Sequence, residues 1–263
     1  MSPEALVHKE VVLNNRHTFV IAMGYSGYDE EQGARPDDCE DAPTAKAMGR
    51  IFREAFKAKD TRILLSTNCT KPKIIDAIQG FSKTASRQDT LVVTYHGHGK
   101  PNWLNIPSAL NPHSDQTDEL SKEELFQEIG KFPGRKIVIL STCHGDYWPI
   151  PDNTLLITPS KRDTVAFTTN FIGQMIHDLV SIEGLNDPLS SFVSLILSTY
   201  HNRPFGPIQN INRDWDYFQD IETFETEKQL GKEILNGYQR ANVRCTLLED
   251  MVPLEVNHLC NFI

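Results

Sequence analysis

Two stretches of this chain, DTLVVTY at 89–95 and RKIVILS at 135–141, contain unbroken β-branched or apolar runs, TLVVTY and IVIL. A strand that is apolar on both faces must be covered on both faces. That is the condition of a central strand in a parallel sheet layered by helices. Three more runs read as strands: HTFVIAM at 17–23, ending in Gly24, TRILL at 61–65 and TLLIT at 154–158. Helical periodicity fills the gaps. Residues 41–57 put Ala45, Met48, Ile51, Phe52 and Phe56 on one stripe. Residues 71–84 repeat Ile74, Ile75, Ile78 and Phe81 behind a Thr70 cap. Residues 121–130 begin with Ser121 and carry Glu124 three positions on, a capping box. Two further helices are expected at 163–182 and 188–199. Strand–helix alternation over the first 200 residues predicts a three-layer α/β/α sandwich with a mostly parallel central sheet. Residues 96–118 read as loop, 201–222 as a surface loop or arm, 225–241 as a polar helix, and the remainder as a short tail.

With 263 residues, such a chain can bury a substantial core without metals or disulfides. A net charge of −9 argues against a nucleic-acid partner, which needs a basic face to displace counterions from phosphates. The same charge disfavours an anionic membrane surface. The five cysteines form no CxxC pair, so a zinc ribbon or a thioredoxin motif is not expected. The first ten residues are polar, and no apolar run approaches the roughly 20 residues that span a bilayer. The expectation is a cytoplasmic protein with free thiols.

Ligands of an open parallel sheet sit beyond the carboxyl ends of its strands. Two strands here end in chemically loaded loops. The third runs into His96-Gly97-His98-Gly99, the fourth into Thr142-Cys143-His144-Gly145-Asp146. A thiol needs a base or an imidazolium beside it to react as a thiolate, and neighbouring strands would supply that pair. The glycines let the backbone turn sharply and approach a substrate. The backbone N–H groups of Gly97 and Cys143 are the natural oxyanion donors. If the strand continued, His96 and His98 would point the same way, so geometry leaves both open as the base.

These residues carry a family resemblance. YHGHG (95–99) resembles the metacaspase Tyr-Ser-Gly-His-Gly, and STCHGD (141–146) resembles its Asp-Ser-Cys-His-Ser-Gly. The histidine and cysteine lie 45 residues apart. FVIAMGY resembles the first strand of the caspase and metacaspase superfamily, and CEDA (39–42) its Asp-Ala helix start. The likeness spans roughly residues 17–200 in order and spacing. It implies a caspase-like peptidase domain over 1–200, with 201–263 as a C-terminal loop and helix packed on it.

The resemblance implies a cysteine endopeptidase. Cys143 would be the nucleophile, His98 the proton-transfer partner, and His144 a supporting residue. In this superfamily the resting histidine and cysteine are often too far apart for a tight ion pair. The P1 pocket departs from both branches. Ser141 stands where metacaspases place an Asp and caspases a Gln. Arg35, six residues before Asp41, matches the caspase arginine that receives an acidic P1. Asp37 and Asp38 would instead favour a basic one. Ser160, Lys161, Arg162 and Asp163 fall where the substrate-edge loop lies, with Ser160 and Asp163 as candidate contacts. The connection Asp146–Asn153 is too short for an excised linker, so a single-chain enzyme is expected. No cofactor or metal is expected; calcium at Asp37, Asp38, Glu40 and Asp41 is the weaker reading of a cluster that also suits a helix N-terminus. The expected partners are a protein or peptide substrate and a separate activating or recruiting protein, in cell death or defence. A catalytically silent scaffold of the same fold and a transamidating enzyme are the alternatives.

Overall fold

In the computed structural model, six strands form the central sheet; the described residues are Leu13, 15–25, 41–110, 117–147, 149–159, Phe171, Met175, Asp178, Leu179, Ile182, 184–197 and 242–246. In chain order the elements are β1 (Thr18–Tyr25), α1 (Asp41–Ala55), β2 (Asp60–Leu65), α2 (Lys71–Ser82), β3 (Thr90–Gly97), β4 (Gly99–Lys100), β5 (Trp103–Pro107), β6 (Thr117–Ser121), α3 (Lys122–Gly130), β7 (Arg135–Ser141), β8 (Thr154–Thr158), α4 (Pro188–Leu195) and β9 (Asn242–Cys245). Phe171, Met175, Asp178, Leu179 and Ile182 are helical as well.

The sheet order is β2-β1-β3-β7-β8-β9. The first five strands are parallel, and β9 closes the sheet antiparallel to β8. The alternation of side chains along each strand divides the core into two slabs. Val92 of β3 and Ile137 and Ile139 of β7 face Met48, Phe52 and Phe56 of α1, the helical Phe171, Met175 and Leu179, and Phe192 of α4. Their neighbours Leu91, Val93, Tyr95, Val138 and Leu140 face Ile74, Ile78 and Phe81 of α2 and Leu125, Phe126 and Ile129 of α3. Helices therefore cover both faces, and the architecture is the three-layer α/β/α sandwich that the apolar strands require. The Ser121 hydroxyl accepts from the Glu124 N–H at the start of α3, as the capping-box pattern predicts. At α4 the Asp187 carboxylate accepts from the Ser190 N–H.

Two segments differ from the sequence reading. Residues 96–118 hold a small antiparallel sheet, β4-β5-β6, in place of a loop. It forms because Leu104, Ile106 and Leu120 alternate with polar positions and bury themselves in the α2/α3 slab. The C-terminal tail contributes β9. Its neighbour Thr246 exchanges backbone hydrogen bonds with Asn153 and Thr154 at 3.1 and 2.8 Å. The loop expected at 201–222 and the helix expected at 225–241 lie outside the described residues.

The α1 slab depends on one aromatic cluster. Phe52 lies 5.3 Å from Phe56 and 5.8 Å from Phe192, centroid to centroid. Truncating Phe52→Ala removes a fully buried ring from between two helices, and is expected to cost about 3–5 kcal/mol in urea denaturation. A loss below about 1 kcal/mol would mean that the slab is not packed as described.

Candidate active site

The register of β3 against β7 sets the site. Thr90 pairs with Arg135 and the ladder runs in step to His96 opposite Ser141. His98 and Cys143 each lie two residues beyond that last pair, on adjacent strands and at the same carboxyl rim. Adjacent strands are about 4.8 Å apart, so the two loops emerge side by side.

Glycines flanking His98 allow the chain to leave β3 in this way. Gly97 has φ 154°, and a Cβ there would fall 2.1 Å from the Tyr25 carbonyl oxygen. A Cβ on Gly99 would fall 2.4 Å from Thr142 Oγ1 and 2.8 Å from the Cys143 carbonyl oxygen. The histidine loop thus lies directly on the backbone of the cysteine loop, at a distance only glycine permits. The His98 carbonyl is held from the other side: it accepts from the Asn105 N–H at 3.1 Å, and the Tyr95 hydroxyl lies 2.9 Å from it. With its backbone fixed just before β4, against Asn105 of β5, the His98 side chain remains exposed.

His96 is placed differently. It is 1% exposed, on the α1 face of β3 beside Ser141. Neither ring nitrogen has a hydrogen-bond partner, and burial pushes its pKa down to about 3. The strand ends at Gly97, so the two histidines do not share an environment. One is a neutral core side chain and the other stands at the rim. Ser141 is equally buried, with its Oγ unpartnered. Thr94, two residues before His96, completes a patch of uncharged polar side chains beneath the rim.

Cys143 sits half-buried in the turn after β7, outside any disulfide. Its neighbour His144 adopts the left-handed conformation, φ 54°, which is uncommon for a residue with a Cβ. Gly145 presses onto β8, where a Cβ would fall 1.9 Å from Thr158 Oγ1. Beyond it, Tyr147 stacks on Phe126 of α3, ring centroids 5.2 Å apart and planes 7° from parallel. By contrast, Cys69 is fully buried, and desolvation raises its pKa to about 12, which leaves it unreactive.

The sequence reading passes over Lys122 except as the start of a helix. Its side chain is fully buried and reaches the carbonyls of both loops. The expected substrate contacts Arg35, Ser160 and Asp163 lie outside the described residues, as do Asp37, Asp38, Glu40 and Trp148. No group of three or more His, Cys, Asp or Glu side chains among the described residues converges as metal ligands would. No helix among them is long and apolar enough to cross a membrane. A cleft of about 370 Å3 lies at the opposite end of the sheet, beside Thr18 and Lys57.

No family model matches the chain, and no curated protein matches it. Solved structures do. Protein GSU0716 from Geobacter sulfurreducens is 19% identical, with a TM-score of 0.43, over 65% of this chain and 90% of that one. Caspase-1 from Spodoptera frugiperda is 13% identical, with a TM-score of 0.48, over 94% of this chain and 92% of that one.

His96 makes stability depend on acid. Unfolded, it titrates near 6.5; folded, it stays neutral down to about 3. Above pH 6.5 the imidazole is neutral in both states and contributes no slope. Below that, only the unfolded chain takes up the proton, so stability falls as pH falls. One proton corresponds to about 1.4 kcal/mol per pH unit. Urea unfolding between pH 6 and 4 is expected to lose stability more steeply in the wild type than in His96→Leu, by nearly that slope. Parallel curves would contradict the neutral, buried assignment.

Proposed function

We propose that the protein is a cysteine endopeptidase in which Cys143 is the nucleophile and His98 the proton-transfer group. The observation that carries this is the β3/β7 register, which brings an exposed histidine and a half-buried thiol out at one rim on touching loops. The resemblance of YHGHG and STCHGD to metacaspase motifs points the same way.

The chemistry follows from the residue types. The Cys143 thiolate attacks the scissile carbonyl carbon, and the carbonyl π electrons move onto oxygen. The backbone N–H groups of Gly97 and Cys143 are the proposed donors to that oxyanion. The tetrahedral species collapses as His98 protonates the leaving nitrogen, so the C–N bond breaks and a thioester remains on Cys143. His98 then removes a proton from water as water attacks the thioester, the C–S bond breaks, and the acid leaves with the Cys143 thiolate and protonated His98 restored. His96 takes no part, since a buried imidazole without partners has no path for a proton.

Substrate choice is proposed to rest on Arg35, with Ser160 and Asp163 as further contacts; Ser141, expected as another, is 1% exposed and offers a substrate no surface. Arg35 would receive an acidic P1 side chain, as the caspase arginine does. Ser141 contributes no charge at the position where metacaspases carry an Asp, which is consistent with that preference. The enzyme is proposed not to be matured by cleavage between Cys143 and Thr154. Residues 150–152 of the Asp146–Asn153 connection are tied down, which supports this reading. Ile150 is buried, the Pro151 carbonyl accepts from the Thr246 hydroxyl at 2.5 Å, and the Asp152 carbonyl accepts from Lys136 Nζ at 2.9 Å.

An electrophilic peptide probe is expected to label the wild type and not Cys143→Ala, and a peptide library is expected to be cleaved by the wild type alone. Removing the nucleophile should lower kcat by about 10⁶-fold, and His98→Ala by about 10²–10⁴-fold. A wild type that is neither labelled nor active on any library member overturns the peptidase reading. The P1 assignment has its own test. Arg35→Ala is expected to lower kcat/KM on acidic P1 substrates by about 10- to 100-fold, the equivalent of a hydrogen bond between charged groups. Cleavage only after Arg or Lys would reject it.

A further inference from the structure

Lys122 occupies an unusual place for a lysine. It is the first residue of α3 and has no exposed surface. Its ammonium donates to three backbone carbonyls, those of Lys100 at 3.0 Å, Pro101 at 3.4 Å and His144. Its own N–H donates to the Asn102 carbonyl at 2.9 Å. Lys100 and Pro101 follow His98 by two and three residues, and His144 follows Cys143 directly. One side chain therefore joins the loop that carries the histidine to the loop that carries the thiol.

The placement runs against two general costs. Moving an ammonium out of water is expensive unless its protons are well received. A cation at the first position of a helix also opposes the helix dipole. A methionine would fill the same volume with neither cost. What lysine adds is three N–H donors on one nitrogen, which gather carbonyls from separate segments. The same charge lies one hydrogen bond from the His144–Gly145 peptide, one residue beyond Cys143, where it favours negative charge developing on the loop.

We infer that Lys122 is a positioning residue, which sets the spacing of His98 and Cys143 by holding the Lys100–Pro101 and His144 carbonyls on one ammonium. The inference rests on the peptidase reading for its purpose, but its geometry can be tested without any substrate. The experiment compares wild type with Lys122→Met, Lys122→Gln and a control, Phe132→Leu, in the α2/α3 slab. Two quantities are read: the rate constant for alkylation of Cys143 by iodoacetamide, followed by mass spectrometry, and kcat and KM on a cleaved peptide. Thermal melts gauge the stability loss in each variant.

Lys122→Met is expected to lower both the alkylation rate and kcat by about 10- to 100-fold, as a displacement near 1 Å between reacting groups does. KM is expected to change by less than about twofold, because ground-state binding is untouched. Lys122→Gln keeps one donor and should fall between; it serves alone if the Met variant does not fold. Phe132→Leu should keep wild-type alkylation and kcat at a comparable loss of melting temperature. A folded Lys122 variant that alkylates Cys143 at the wild-type rate overturns the inference, and so does a Phe132→Leu loss as large as that of Lys122→Met. Lys122-dependent alkylation in a protein that cleaves no peptide would reject the peptidase reading and leave the positioning role standing.

Discussion

Strand β3 is hydrogen-bonded on both sides by parallel neighbours, β1 and β7, and the step of those two ladders governs everything at the rim. A slip of one residue between β3 and β7 would turn every side chain to the opposite slab. Val92 would face α3, and Tyr95 would face α1. Because both slabs are apolar and closely packed, such a slip is costly along the ladder, where the five pairs from Leu91–Lys136 to Tyr95–Leu140 each carry a core side chain. The stringency of core packing is thus passed on to the rim. The sandwich does not merely support the site; the pairing that builds the sandwich also decides which residues meet at its end.

From there the control becomes local. Gly97 and Gly99 bring the loop after β3 down onto neighbouring backbone, while the Tyr95 hydroxyl and the Asn105 N–H hold the His98 carbonyl. The small sheet β4-β5-β6 is the structure that presents this clamp, since β4 begins one residue after His98 and β5 supplies Asn105. Lys122, at the junction of β6 and α3, ties the same region to the turn after β7. Short-range constraints thus converge on His98 and Cys143 from three directions, leaving the imidazole open to solvent.

The layers were legible in the sequence because burial on two faces leaves a plain mark. Residues 135–141 and 154–158 read as strands and are β7 and β8 to the residue. The antiparallel hairpins were not, since β4 has two residues and the alternation in β5 covers only five. Strand β9 is four residues long and owes its existence to an edge that lies far away in sequence. At the site, the two loops could be read from HGHG and TCHG. The division between His96 and His98 could not, because it turns on where the strand ends, and both positions have the same parity. Lys122 left no signal at all. A lysine at a helix start reads as solvated, and its carbonyl partners lie 21 and 22 residues before it and 22 residues after it.

The two borders of the main sheet are treated unequally. On one side β2 carries Asp60 and Arg62 at half-exposed or exposed positions, charges that discourage another strand from adding there. On the other side β8 is buried at all five positions and has no charged residue. Among the described residues, β9 is the strand that stands between its open hydrogen-bonding groups and an intermolecular partner. Four residues from the far end of the chain therefore act as a guard against self-association. Any event that peels β9 away would expose an apolar template ready to pair with another copy of itself.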